Sequence, residues 1–294
     1  MWIKQKNIFN QHHAQVPVVD SCDGYYRIYY STRFNGKSSP MFIDVDKKTF
    51  EVINKSEKPL LELGKPGSFD WAGVMPTEIV TVGNLKYLYY IGWALRQDVP
   101  YHNNLGLAIS KDGGSSWEKY SSGPVLSTCA KEPGYIGTVS ILRNLNEWKM
   151  WYLSCRDWIE YEGRMEPTYD VRFATSTNGI DWNPDGKDAV ISLEGDEGGI
   201  SSARVHKLEG ENHKMHFSVR NKINYRTNKQ DSYRIKSASS SNGTSWHRNS
   251  EIVIDVSESG WDDFMTCYPY IVDSVMFYNG NEFGKTGIGY AVWV

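Results

Sequence analysis

The sequence predicts an all-β protein, and three observations support this prediction. Aromatic residues make up 14% of the 294 residues and include 11 Trp and 19 Tyr, and strands favour such broad side chains. Short segments of alternating apolar and polar residues recur along the chain, as in residues 105–109 and 171–174. A turn motif follows these segments at nearly constant intervals. Helix-rich folds are therefore disfavoured.

The turn motif has three clear copies, at residues 110–117, 176–182 and 240–246. Each copy contains Ser, then Asp-Gly or Asn-Gly, and then Trp, and successive copies lie 66 and 64 residues apart. Because Asp-Gly and Asn-Gly adopt the positive φ angles of tight hairpin turns, each copy is predicted to join two antiparallel strands. Residues 46–50 form a degenerate first copy.

Two more strands precede each turn, an apolar one such as residues 79–82 and an aromatic one such as residues 86–91. Each repeat then contains about four antiparallel strands, as a propeller blade does. Five repeats span residues 1–294 and predict a single domain, a five-bladed β-propeller with four-stranded antiparallel blades. The N-terminal segment Met1–Phe9 is expected to close the last blade, because an open edge strand promotes aggregation.

The composition excludes several classes of protein. A hydrophobic content of 40% is enough to build a core and excludes a disordered or fibrous chain. The net charge of -3 predicts no nucleic-acid partner. Since no signal-peptide pattern and no membrane-length apolar run occurs, we expect a cytoplasmic protein without membrane insertion. The four Cys residues lack metal-binding spacing, and no metal or cofactor is predicted.

Arginines end the second strand of four predicted blades, at Arg33, Arg96, Arg156 and Arg220. In a propeller these ends share one rim with the starts of the first strands, which line the central channel. Arg204 adds a guanidinium in the first strand of blade four. Because Arg binds carboxylate and phosphate groups bidentately, the sequence predicts an anionic substrate at this rim. Solvated surface charge or ion pairs between blades are the alternative.

Three carboxylates are candidate catalytic groups at the same rim. Asp70 and Asp263 each lie six residues before a Pro near the start of a first strand, and Glu78 lies within the first strand of blade two. A carboxylate within a strand is expected to face the channel or a partner. For Asp70 and Asp263 the alternative is a capping role in the loop before the strand.

Two histidines precede the first strand of blade one, and His12 is a candidate catalytic residue. Neighbouring residues on a strand point to opposite faces, so we expect at most one of His12 and His13 to face the channel. His13, Tyr268 and Asn279 are assigned to substrate binding. An aromatic platform and an amide suit a sugar ligand, and both also suit a turn.

The repeated hairpins, the strand Lys149–Tyr152 and residues 278–291 together resemble the five-bladed propellers of the furanosidase and β-xylosidase superfamily, glycoside hydrolase families 32, 43, 62 and 68. The resemblance covers nearly the whole chain. It is similar in detail to an uncharacterised glycosidase-like subgroup linked to bacterial surface polysaccharide synthesis. It implies a glycoside hydrolase-like protein with a carbohydrate ligand at a funnel mouth, and the rim arginines make that ligand acidic or phosphorylated.

Hydrolases of this superfamily use three acids on first strands, and the chain departs from that pattern. Residues 9–17, at the start of blade one, contain no carboxylate, and blade three offers only Glu132 before its first strand. The resemblance leaves Glu78 or Asp263 as the acid, with Asp70 tuning it.

Two alternatives remain open. The first is a non-hydrolytic enzyme, a transferase or lyase, or a binder of carbohydrates or nucleotide sugars in polysaccharide biosynthesis. The second is a sialidase-like hydrolase of acidic sugars, since the turn motif matches the Asp-box of sialidases and their arginine cluster could be formed by Arg33, Arg156, Arg204 and Arg220. Two carboxylates in the funnel at the separation that hydrolysis needs, about 5 to 10 Å, would favour hydrolysis, whereas arginines with one lone acid would favour the first alternative.

Overall fold

A computed structural model describes every residue except 12, 145–146, 187–188, 209 and 211. The described residues form an all-β structure, as predicted, with one short helical segment, α1 (Asn281–Gly284). None of the described helices is long and apolar enough to cross a membrane.

Strand β1 (Trp2–Phe9) is followed by sets of antiparallel strands, which we call units. Unit one contains β2 (Gln15–Ser21), β3 (Tyr25–Phe34), β4 (Lys37–Asp46) and β5 (Val52–Lys55). Unit two contains β6 (Gly73–Val82), β7 (Leu85–Leu95), β8 (Tyr101–Ser110) and β9 (Glu118–Lys119). Unit three contains β10 (Ile136–Arg143), β11 (Trp148–Tyr161), β12 (Arg164–Ser176) and β13 (Asn183–Pro184).

Unit four contains β14 (Glu197–Lys207), β15 (His213–Asn221), β16 (Arg234–Ser240) and β17 (His247–Arg248). Unit five contains β18 (Cys267–Val272), β19 (Val275–Asn279) and β20 (Ile288–Trp293), and β1 pairs with β20 as its outer strand. A single parallel bridge joins units one and two, and another joins units three and four. The two ends of the chain therefore meet in unit five, where the sequence analysis expected them.

The hairpin turns are held by one side-chain arrangement. Oδ1 of Asp112 accepts hydrogen bonds from the backbone N–H groups of Ser115 and Ser116, at 3.0 and 2.9 Å. Oδ1 of Asn178 and of Asn242 accepts the equivalent pairs in units three and four. A buried aromatic side chain of the preceding unit contacts some of these turns, since Nε1 of Trp151 donates to the carbonyl oxygen of Gly243 at 2.7 Å.

The larger clusters of the hydrophobic core lie between consecutive units. One cluster joins units two and three through residues such as Tyr89 and Ile141, and another joins units three and four through Trp151 and Phe217. Further clusters join units four and five, five and one, and one and two. The first strands β2, β6, β10, β14 and β18 contact one another in cyclic order. Each unit therefore packs against two neighbours.

Two histidines lie where β1 packs against unit four. The rings of His206 and His216 stack at 5.3 Å between centroids, and Trp2 meets His216 edge-on at 5.9 Å. Burial lowers the pKa of His206 to about 4 and that of His216 to about 3, from an ordinary value of 6.5. Both rings are therefore neutral in the folded protein at neutral pH.

The histidine pair predicts a loss of stability in acid. The unfolded chain takes up these two protons near the ordinary pKa of 6.5, whereas the folded protein does not. The free energy of unfolding is therefore highest above pH 6.5 and falls as the pH decreases below that value. We expect the free energy of unfolding to fall by about 2 kcal/mol per pH unit between about pH 6 and about pH 5, measured by urea unfolding. His216→Phe should reduce this slope by about half, since one of the two groups is gone. The exposed His247→Gln should leave it unchanged, and equal slopes in wild type and His216→Phe would contradict the prediction.

Candidate functional site

A funnel of about 660 Å³ opens where the five first strands begin. Every unit contributes a first-strand residue to its lining, and these residues are Gln15, Met75, Thr138, Ser201 and Tyr268. The volume lies within the range of small-molecule sites, about 300 to 1,000 Å³. The funnel is therefore a shared product of all five units.

Each first strand bulges next to this funnel. The pairing of first and second strands shifts register in every unit, for example between Gln15 and Val18 in unit one and between Ser201 and Arg204 in unit four. Three bulge residues have positive φ angles, with values of 54° for Val16, 46° for Ser202 and 55° for Tyr268. Such angles are strained for residues other than Gly, most of all for a β-branched Val. Bulges redirect side chains and concentrate near functional sites.

The floor of the funnel is polar and uncharged. We define it as the nearly buried Gln, Asn, Thr and Ser side chains, 4 to 7% exposed, that line the funnel: Gln15, Asn103, Thr138 and Ser201. Oε1 of Gln15, Oδ1 of Asn103 and Oγ of Ser201 have no hydrogen-bond partner in the described part of the protein. Since buried polar groups are nearly always paired, these three atoms are available to a ligand.

The mouth of the funnel carries the charge. We define it as the charged side chains that line the funnel: Arg33, Arg96, Asp98, Arg164, Glu166 and Arg226. Arg96 pairs with the exposed Asp98 at 2.8 Å. Arg33 and Arg164 are exposed and form no ion pair within the described residues. The lining thus has four cations and two anions, whereas the whole chain has a net charge of -3.

Glu166 is the buried carboxylate of the mouth. Its Oε1 accepts a hydrogen bond from Nε of Arg226 at 3.1 Å, and its Oε2 accepts one from the hydroxyl of Tyr225. Burial alone would raise the pKa of Glu166, but the hydrogen bonds from Arg226 and Tyr225 outweigh burial and hold the pKa below its ordinary value. Glu166 is therefore ionised at neutral pH and is poorly suited to donate a proton.

Aromatic side chains form the wall between floor and mouth. They come from four units and the loop around α1, and they are Trp93, Tyr101, Tyr135, Tyr169, Tyr225, Tyr233, Tyr268 and Phe283. Several meet edge to face, such as Tyr101 and Tyr135 at 5.5 Å between ring centroids. Rings of this kind present flat apolar faces and polar hydroxyls in one pocket, which suits a partly apolar, partly polar ligand.

Three of the residues placed at the rim from sequence line the funnel, Arg33, Arg96 and Tyr268. The guanidinium of Arg33 lies 5.7 Å from the ring of Trp93. Tyr268 occupies the unit-five bulge, where its backbone N–H donates to Oγ of Ser218 at 2.7 Å. The structure therefore brings Arg33 and Tyr268 to one pocket.

Asp70 lies elsewhere, contrary to the expectation of a rim carboxylate. It lines a separate groove of about 1320 Å³ on the outer side of units one and two. Its Oδ2 accepts hydrogen bonds from Nζ of Lys119 at 2.6 Å and from the hydroxyl of Tyr90 at 3.1 Å. The buried charge of Asp70 is thus neutralised by an outer strand.

Asp263 and Asn279 hold loops together outside the funnel lining. Oδ1 of Asp263 accepts a hydrogen bond from Asn281 at 2.7 Å, and Oδ2 accepts one from the N–H of Gly260, which matches the capping alternative. Asn279 is fully buried, and its amide oxygen accepts the N–H of Val16 at 2.8 Å. Its amide nitrogen donates to two backbone carbonyl oxygens. Neither side chain is placed to contact a ligand in the funnel.

Glu78 and Arg204 form a sealed ion pair that does not line the funnel. Nη1 of Arg204 lies 3.2 Å from Oε2 of Glu78, and the hydroxyl of Tyr270 donates to Oε1 at 2.7 Å. Both charged residues are about 95% buried. Burial raises the pKa of Glu78, and the contacts with Arg204 and Tyr270 only partly oppose this. The pair corrects the expectation that these two groups face the substrate.

Arg156 and Arg220 also have partners within the protein. Arg156 lies outside the funnel lining, with its Nε 3.5 Å from Oδ2 of Asp170. Arg220 is 2% exposed and lies between the rings of Tyr225 and Tyr169, at 3.9 and 4.9 Å. The arginine cluster expected for a sialidase-like site is therefore not assembled, because only Arg33 of its four candidates lines the funnel.

The structure describes only one of the two adjacent histidines, His12 and His13. His12 lies outside the described residues. His13 has a φ of 52° and does not line the funnel.

The sequence analysis missed Glu166, Arg226 and Arg164. Arg164 and Glu166 lie in the extended hairpin of β11 and β12, whose strands of 14 and 13 residues exceed the other described strands in length. In the sequence, the segment between the aromatic strand (148–153) and the alternating strand (171–174) of repeat three is long, and its length could have indicated an extended hairpin. Arg226 lies in the loop between β15 and β16, and no pattern in the sequence indicated its contact with Glu166.

The sealed ion pair predicts a strong dependence of stability on both partners. Glu78→Gln leaves the buried Arg204 charge without a counterion, and we expect a loss of about 3 kcal/mol in the free energy of unfolding. The double variant Glu78→Gln, Arg204→Met removes both charges and should recover most of that loss. Asp98→Asn breaks an exposed pair and should change stability little. Guanidinium unfolding measures all three, and equal losses in the single and double variants would contradict the prediction.

Comparison with solved structures shows the fold of the protein. The complex of BT0996 with RGII matches with a TM-score of 0.72 and 16% identity, covering 99% of the present protein and 89% of the matched one. A thermostable family-43 glycoside hydrolase matches with a TM-score of 0.70 and 12% identity, covering 99% and 91%. The catalytic domain of the GH62 α-L-arabinofuranosidase from Coprinopsis cinerea matches with a TM-score of 0.66 and 10% identity, covering 99% and 96%.

Comparison with protein sequences gives a relative and no family model. No family model matches the chain. The uncharacterized protein Rv1502 of Mycobacterium tuberculosis is 30% identical over 292 residues, covering 97% of the present protein and 93% of the relative. The chain therefore belongs to the same protein family as Rv1502, and it has the glycoside hydrolase-type all-β fold.

Proposed function

We propose that the five units are the blades of a five-bladed β-propeller, a single domain spanning residues 1–294. The cyclic contacts between first strands and the core clusters between consecutive units support this architecture. The pairing of β1 with β20 supports closure of the ring by the N-terminal segment. The funnel then lies on the propeller axis, at one end of the central channel.

We further propose that this funnel binds a carbohydrate with an acidic or phosphorylated group. The carrying observation is the charge of the mouth, where four arginines face two carboxylates in a protein of net negative charge. Arginines without ion-pair partners attract and orient anions. The aromatic wall and the uncharged polar floor supply the stacking surfaces and hydrogen-bonding groups that a sugar needs.

The arrangement favours the non-hydrolytic alternative for this function. Hydrolysis of a glycosidic bond normally uses two carboxyl groups that flank the bond, one of them protonated. The described funnel lining offers Glu166, held ionised by Arg226, and Asp98, which pairs with Arg96 at the surface. We therefore propose a transferase, a lyase or a binder of an anionic glycan rather than a two-carboxylate hydrolase.

The family resemblance supports a cellular role for such a protein. The glycosidase-like subgroup that the sequence resembles is linked to bacterial surface polysaccharides, and the relative Rv1502 is bacterial. The complex of BT0996 with RGII supports carbohydrate binding by this fold. We propose that the protein acts in polysaccharide biosynthesis in the cytoplasm.

Arg33→Ala tests the anionic ligand. Removing this unpaired guanidinium should weaken binding of an acidic or phosphorylated sugar by about 1.5 to 3 kcal/mol, the cost of a charge-assisted hydrogen bond. Titration calorimetry against a panel of uronic acids, N-acetylneuraminate, sugar phosphates and neutral methyl glycosides measures it. Arg156→Ala is the matched control, because Arg156 pairs with Asp170 outside the funnel and its loss should not change affinity. Tighter binding of neutral glycosides than of anionic sugars would refute the proposal.

A separate assay of glycosidic bond cleavage tests the reaction class. Incubation of aryl glycosides and anionic oligosaccharides with the protein should release no reducing sugar above background, since the described funnel lacks a protonated carboxylate. Glu166→Gln should then leave this background unchanged. Hydrolysis by the wild-type protein that is lost in Glu166→Gln would contradict the proposal and identify the protein as a hydrolase.

A further inference from the structure

The floor and the mouth of the funnel differ in chemistry, and the difference orients a ligand. The floor residues Gln15, Asn103, Thr138 and Ser201 carry amides and hydroxyls only. Amides and hydroxyls both donate and accept hydrogen bonds, as sugar hydroxyls do. The floor therefore matches a neutral sugar ring.

An anionic group at the floor would lack a counterion. The described floor holds no cation, and burying a carboxylate without a paired charge is costly. The nearest cation in the same strand as Ser201 is Arg204, which does not line the funnel and is paired with Glu78 at 3.2 Å. The floor would therefore bind poorly a sugar that carries a carboxylate directly on its ring, such as a uronic acid.

The unpaired cations lie at exposed positions of the funnel lining. Arg33 and Arg164 come from units one and three and have no ion-pair partner among the described residues, whereas Arg96 and Arg226 are paired with Asp98 and Glu166. A guanidinium binds two anionic oxygens of one group at once, and a phosphate offers more such oxygens than a carboxylate. The mouth therefore suits a phosphate that extends away from a sugar ring.

We propose that the ligand is a glycosyl phosphate, with its neutral ring hydrogen-bonded at the floor by Gln15, Asn103 and Ser201 and its phosphate bound at the mouth by Arg33 and Arg164. The inference rests on the carbohydrate site proposed above and narrows its ligand class. The positive φ angles of Val16 and Ser202, next to two floor residues, support it, since strained bulges persist where they aim side chains at a ligand. The phosphate is either a monoester, as in a sugar 1-phosphate, or a diester, as in a nucleotide sugar.

Titration calorimetry of the full-length protein tests the proposal with defined probes. The probes are the 1-phosphates of α-D-glucose, α-D-mannose and α-D-galactose, the corresponding UDP or GDP sugars, the corresponding uronic acids, N-acetylneuraminate and inorganic phosphate. We expect at least one glycosyl phosphate to bind about tenfold or more tightly than its uronic acid and than inorganic phosphate. Comparison of the 1-phosphates with the nucleotide sugars distinguishes monoester from diester ligands.

Variants separate the two ends of the funnel. Gln15→Leu and Ser201→Ala should each weaken glycosyl phosphate binding by about tenfold or more and leave inorganic phosphate binding unchanged, because they alter only the floor. Arg33→Ala should weaken both ligands. Gln5→Leu, at an exposed position of β1, is the matched control and should change neither. Circular dichroism and thermal unfolding verify folding, and Ser201→Ala, the smaller change, decides the case if Gln15→Leu does not fold.

The outcomes distinguish this inference from the proposed function. If a uronic acid or N-acetylneuraminate binds as tightly as every glycosyl phosphate, or if both floor variants bind glycosyl phosphate normally, the inference is overturned and the anionic carbohydrate site stands. If inorganic phosphate binds as tightly as every glycosyl phosphate, the floor has no role and the inference also falls. If no anionic sugar of either kind binds, the proposed function fails as well.

Discussion

Side chains of one unit satisfy the backbone N–H groups that the bulges of the next unit release, and the funnel depends on this exchange. A bulge removes a residue from its own ladder, so its N–H needs another acceptor. The donors and acceptors are Val16 to Asn279, Ser202 to Thr138 and Tyr268 to Ser218, at 2.7 or 2.8 Å. In each pair the acceptor belongs to the preceding unit in the cyclic order. The bulges therefore fix the position of neighbouring units relative to one another.

These hydrogen bonds explain why the same polar residues lie at the contacts between neighbouring units and in the candidate binding site. The hydroxyl of Thr138 accepts the N–H of Ser202, and Thr138 also lines the funnel floor, so one side chain supports the next unit and contributes to the candidate site. Ser202 has a φ of 46°, a strained angle that the surrounding contacts must hold. Because contacts between neighbouring units hold this strained backbone, the floor side chains are positioned before any ligand binds. This reduces the conformational entropy that is lost on binding.

Local sequence features predicted the strands, whereas the partners of charged side chains depended on long-range packing. The Asn-Gly turns act through side-chain hydrogen bonds within a few residues, so their spacing was readable and indicated the repeating units. Arg33 and Arg220 end equivalent strands, yet Arg33 faces the funnel and Arg220 lies between Tyr169 and Tyr225. The difference comes from a residue 53 positions away along the sequence, Pro167, which supplies a carbonyl oxygen to Arg220. Strand position alone does not contain that information.

The positions of the charged residues are the basis of the proposed non-hydrolytic function. Glu78, within a first strand, is neutralised by Arg204 in a sealed pair, and the funnel floor is uncharged. Cations without partners occur only at the mouth within the described lining, at Arg33 and Arg164. A hydrolase needs its carboxyl groups where the bond lies, and an anion binder needs its guanidiniums where the charge lies. Because one fold carries many chemistries, the residues at this funnel weigh more than the likeness to glycoside hydrolases, and they favour recognition of an anionic sugar.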